Sequence, residues 1–167
     1  MTTKAEHLRM LARVCQQWGG RLVILSEDRF YDLFDADQGS HEELSEAPFG
    51  YGHGLHWRKK IVYALRGHER VGVIIHEMGH VFAAQHHPEC FCRACHEWNW
   101  FGWEIALARQ IGAVRAWSRH NANYSTGNGN HWAGLSPVER RAVVAKRLRR
   151  ARKIGVVDAG GTPRSVR

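Results

Sequence analysis

Along the first third of the chain the apolar positions change period. From about Lys4 to Trp18, Leu8, Leu11, Ala12 and Cys15 recur at helical spacing, and Gly19-Gly20 supplies a stop. Arg21 to Leu25 is short, apolar and β-branched, which predicts a strand. Ser26 to Glu46 is acidic and rich in turn formers, so an irregular or briefly helical excursion is expected there. Glycine and aromatic residues fill the loop from Pro48 to Gly54, after which Arg58 to Leu65 reads again as a strand bounded by Gly67.

The apolar stretch from about Val71 to Gln85 predicts a helix that ends before Pro88, because a residue preceding proline avoids helical geometry. A loop rich in histidine and cysteine covers His86 to His96, and Trp98 to Ala116 returns to helical spacing through Phe101, Ile105, Ala108 and Ile111. His120 to Gly134 is polar, rich in asparagine and glycine, and too long for a simple turn, which predicts a functional loop or a mobile one. Ser136, Pro137 and Glu139 match a capping box with proline at the first helical position, and they open a last helix running to Lys153. No internal repeat is visible.

These elements make an α+β fold: a small twisted sheet of two or three strands packed on the helix near residue 76, a second helix, and a basic C-terminal helix. With 167 residues, of which 44% are hydrophobic, one domain over 1–153 followed by a flexible basic tail over 154–167 is expected. No run approaches the roughly 18 apolar residues of a membrane span, and MTTKAEHLRM lacks an apolar export core, so a cytoplasmic chain with reduced thiols is expected. The formal charge of +8 lies mostly after Glu139 and describes one end rather than the whole surface.

The chemistry is concentrated in His76-Glu77-Met78-Gly79-His80. Helical residues four apart share a face, so both imidazoles can reach one tetrahedral metal while Glu77 lies beside a water on it. Zinc suits such donors and lowers the pKa of bound water to about 7. Glu77 is then the general base that takes the proton from that water and passes it to a leaving amine. The lead-in Val71, Val73, Ile74 and Ile75 is apolar, and titratable groups on such a helix are costly to bury unless something satisfies them.

A catalytic zinc takes a third protein ligand, and two downstream glutamates compete for that place. Glu104, flanked by Trp103 and Ile105, is an expensive carboxylate in an apolar helix, which favours it as the ligand. Glu97 lies seven residues earlier on roughly the same face, where the helix dipole alone would account for it. The unused one would orient a ligand from behind.

The order of a strand over Lys60 to Leu65, a short turn, the HEMGH helix and a glutamate-bearing helix resembles the minimal zincins, especially the ImmA/IrrE-type metallopeptidases of bacteria and their mobile elements. The resemblance covers about Arg58 to Gln110, and only the motif with its apolar lead-in is highly specific. It implies a gluzincin-like zinc metalloendopeptidase, a hydrolase acting on a protein or peptide such as a regulatory protein. The metal would be held by His76, His80 and a downstream glutamate, with Glu77 as base. Family members often show Glu, then Ala-Asn, then Phe-Ala in the third-ligand helix. Glu97-Trp98-Asn99-Trp100-Phe101-Gly102 matches this in part and points to Glu97, whereas burial points to Glu104; both stand as candidates. The resemblance also implies that Ile61 to Leu65 pairs with extended substrate.

Cys90, Cys92 and Cys95 form a C-x-C-x-x-C arrangement that could hold a second, structural zinc, set against reduced structural thiols or an adventitious disulfide. Tyr124 and His131, with His120, are candidates to stabilise an oxyanion or touch substrate. The last helix, ERRAVVAKRLRRARK, offers a weak phosphate or nucleic-acid contact. The competing function is therefore a nucleic-acid- or repressor-binding protein of a phage or mobile element, in which zinc serves structure alone.

Overall fold

Local signals set several element ends. The computed structural model describes residues 2–17, 19–36, 44–46, 53–56, 60–86, 101–123 and 132–153. Helix α1 (Lys4–Gln17) stops where Gly19 adopts φ 70°: Gly19 N–H donates to the Gln16 carbonyl and Gly20 N–H to that of Cys15, a glycine cap that satisfies the last turn. Strand β1 (Arg21–Leu25) follows, as its composition predicts. The acidic excursion then forms a ten-residue helix, α2 (Glu27–Ala36), with Glu27 and Asp28 in its first turn, where the helix dipole favours them.

The sheet is larger than expected. Its four strands run in the order β1-β4-β3-β2, with β2 (Leu44–Glu46), β3 (His53–His56) and β4 (Ile61–Leu65) joined antiparallel and β1 parallel to β4. Strands β2 and β3 are too short to show a period, and backbone pairing to β4 and to each other is what makes them strands. Strand β4 begins at Ile61, directly after Lys60 turns the chain with φ 54°; Arg58 and Lys59 of the expected strand lie outside the described residues.

Strand β4 is central. Its five residues are all buried and alternate between two cores. Val62 and Ala64 face the main core with Leu11, Ile74, Met78 and Leu107. Ile61, Tyr63 and Leu65 face Phe30 of α2, with Val23, Leu25 and Leu33 alongside. Both hydrogen-bonding edges of β4 are occupied, by β1 and β3, which corrects the expectation that Ile61 to Leu65 receives substrate as an added strand.

Helix α3 (Val71–His86) lies on the main-core side, and its side chains from Val71 to Gly79 are buried on every face. The helix expected over Trp98 to Ala116 is two: α4 (Phe101–Gln110) and α5 (Val114–His120). Gly112 at φ 71° divides them, with Ala113 N–H donating to the Ala108 carbonyl at 2.7 Å and Gly112 N–H to that of Arg109 at 3.1 Å. Helix α6 (Pro137–Lys153) opens with the expected reciprocal cap: Ser136 N–H donates to Glu139 and Glu139 N–H to the Ser136 hydroxyl. It lies close against α4 because Gly102 has no side chain; a Cβ there would stand 2.5 Å from the Arg147 carbonyl oxygen.

The fold is thus mixed α and β and mostly helical, and among the described residues no helix is long and apolar enough to cross a membrane. The stretches 87–100, 124–131 and 154–167 lie outside the described residues.

An ion pair ties α1 to the turn before α3. Lys4 Nζ stands 2.6 Å from Glu69 Oε2, and that hydrogen bond, with the Gly67 N–H assisting against burial, holds the Glu69 carboxyl down to about 2. A carboxyl with a depressed folded-state pKa contributes stability above its unfolded pKa and loses it as acid protonates it. Glu69→Gln is therefore expected to flatten the loss of stability between about pH 5 and about pH 2, read from denaturant midpoints across that range. An unchanged profile would mean the pair contributes nothing.

Candidate functional site

Polar side chains inside an apolar helix need partners, since an unsatisfied buried group costs on the order of 1–3 kcal/mol and a charged one more. On α3, His76 is 6% and Glu77 5% exposed, among Val73, Ile74, Ile75 and Met78. From α4, Glu104 reaches into the same space and is 2% exposed. His76 Nδ1 lies 3.0 Å from Glu104 Oε1, and because an ionised carboxylate only accepts, the ring N–H donates. The second carboxylate oxygen accepts from Trp117 Nε1 at 2.9 Å.

Helix α5 supplies the far side of this arrangement. Trp117 is 1% exposed, and its carbonyl accepts from Asn121 Nδ2 at 3.1 Å, which closes the C-terminal end of the helix. The half-buried His120 sets its ring against His76 with centroids 5.2 Å apart. This approach requires Gly72 on α3: a Cβ there would stand 2.5 Å from the Ala116 carbonyl oxygen and 2.8 Å from His120 Cβ.

The charges follow from the geometry. Burial works to raise the Glu104 pKa, but the His76 charge and the hydrogen bonds from His76 and Trp117 outweigh it and hold the carboxyl at about 2. Burial disfavours a protonated His76, yet the adjacent Glu104 carboxylate prevails and raises that pKa. Glu77 is pushed up to about 7 by burial, with His76 opposing the rise and Glu104 adding to it.

Of the residues singled out in the sequence, His76, Glu77 and Glu104 are therefore brought together. Both oxygens of Glu104 are engaged, on the Nδ1 side of the imidazole. His80 lies one turn further along α3, and its side chain is outside the described residues. Glu97, Cys90, Cys92, Cys95, Tyr124 and His131 also lie outside them. Among the described residues no group of three or more His, Cys, Asp or Glu side chains is arranged to hold a metal ion. Cys15 is a free, buried thiol raised to about 11 by desolvation, which makes it a core residue.

Trp117 falls just past Ala116, where the apolar spacing ends the expected helix. Reading Gly112 as a helix stop would have exposed a separate helix carrying Trp117 and His120. Comparison with protein families, with curated proteins and with solved structures finds no match to this chain.

Trp117→Phe keeps an aromatic ring but removes a donor to a buried carboxylate and leaves a void. It is expected to lower the unfolding free energy by about 2–4 kcal/mol in urea denaturation. A variant as stable as the parent would show that Glu104 does not depend on this hydrogen bond.

Proposed function

We propose that this chain is a zinc-dependent metallopeptidase of the minimal zincin kind, in which His76 and His80 hold the ion and Glu77 moves the protons. The observation that carries the reading is the buried carboxylate on the Nδ1 edge of His76. A metal-bound histidine commonly donates its other ring N–H to a carboxylate, which fixes the tautomer and the aim of the ring. Glu104 does this from a position locked by Trp117. The donor chemistry fits zinc: with Nδ1 committed to Glu104, Nε2 is the ligating atom, and the four-residue spacing puts His80 on the same face of α3.

On this reading Glu104, whose two oxygens accept from His76 and Trp117, is the positioning group, and Glu97, to which the partial resemblance points, is the third ligand. When bound, zinc supplies a Lewis acid that polarises a peptide carbonyl and lowers the pKa of a water. Glu77, buried and with its carboxyl raised to about 7, takes the proton from the attacking water and returns it to the leaving amine. The apolar residues around it exclude bulk water from that transfer.

Glu77→Gln is expected to keep zinc by elemental analysis while hydrolysis of a panel of denatured proteins and peptides falls by about 10²–10⁴-fold. Full activity in that variant removes Glu77 as base, and a parent protein that holds no zinc removes the reading altogether. Glu104→Gln should keep one zinc per chain but bind it about 10–100-fold more weakly in a chelator competition. Glu97→Gln should change the ion's coordination in X-ray absorption; the reverse pattern would restore Glu104 as a ligand.

A further inference from the structure

Away from the histidine site, α6, α4 and the turn at Trp132–Gly134 enclose a groove of about 580 Å³. Five arginines line it: Arg109, Arg140, Arg141, Arg149 and Arg152. Val144 and Leu148 supply apolar floor. Helix α6 carries Lys146 and Lys153 as well, yet the groove takes arginine alone. Arg140 is held in place, its guanidinium donating to the carbonyls of Trp132 and Ala133 and lying 5.6 Å from the Trp132 ring centroid. Arg109, Arg141, Arg149 and Arg152 are exposed.

Stability does not explain this composition. Over 17 residues α6 carries eight basic side chains and a single acidic one, Glu139, which is spent on the cap. Like charges four apart, such as Lys146 with Arg150 and Arg149 with Lys153, weaken a helix by about 0.2–0.5 kcal/mol each. Such a concentration of one sign builds a strong local field and attracts an anion of matching shape.

We infer that this arginine groove is a binding site for the sugar-phosphate backbone of duplex nucleic acid. Guanidinium forks match phosphate oxygens in pairs, which an ammonium group does not, and that accounts for arginine in place of lysine. Arg141 to Arg152 spans about 16 Å of helix axis, a length over which a duplex presents several phosphates on one strand. Trp132 is 5% exposed, so it has no open face on which a base could stack. The site therefore grips backbone and does not read sequence.

The test is fluorescence anisotropy with a short labelled DNA duplex between about 50 and 200 mM salt. Four or so engaged arginines predict a slope of log affinity on log salt near −3 to −4, at about −0.9 per phosphate contact, and equal affinity for a duplex of shuffled sequence. Arg141→Ser, Arg149→Ser and Arg152→Ser should each reduce the slope by about 1, with unchanged circular dichroism, and the lysine variants should retain it. Absence of binding at the lowest salt overturns the inference. So does binding unchanged in the triple serine variant, which would move the affinity to another basic segment. Tighter capture by polyglutamate or by anionic vesicles than by the duplex would assign the groove to an acidic protein or a membrane surface instead. Glu77→Gln should bind the duplex like the parent, so this site stands or falls separately from the peptidase reading.

Discussion

A carboxylate sunk into an apolar core is the constraint around which this molecule is arranged. Glu104 is almost wholly removed from water, and burial by itself would drive it to take up a proton. It stays ionised because two donors converge on it from different helices, His76 from α3 and Trp117 from α5. Removing one partner of such a group leaves the other uncompensated, which is costly in a low-dielectric interior. The three helices are therefore coupled through a polar contact as well as through apolar packing.

That coupling sets demands on the backbone. Helices α3 and α5 come close enough only because Gly72 has no side chain, and α4 meets α6 at Gly102 for the same reason. The left-handed Gly112 redirects the chain between α4 and α5, so that Glu104 and Trp117, thirteen residues apart, face one another. Behind α3, strand β4 is buried on both faces and paired on both edges, which makes it a rigid floor for the helix that bears the motif.

A second run of contacts leads outward. Trp117 meets Trp132 edge to face with ring centroids 5.3 Å apart, Trp132 donates to Ser118, and Arg140 sits over Trp132 at the rim of the arginine groove. The histidine site and the groove thus share one aromatic wall. One set of elements carries both a buried polar cluster and an exposed, arginine-lined groove.

Much of the helical framework was legible in the residues. Apolar spacing marked α1 and α3, glycine marked the end of α1, and the capping box marked the start of α6. Each of these is a short-range effect, decided within about one turn of chain. HEMGH likewise put two imidazoles and a carboxylate on one helix. Residue order did not reveal β2 and β3, which exist through pairing to strands elsewhere, or the interior place of β4. Nor did it reveal which face of the imidazole Glu104 would meet. A buried carboxylate in an apolar helix must find a partner, and its sequence context says that much. The identity of the partners, His76 and Trp117, depends on how three helices cross, and that is decided by tertiary packing.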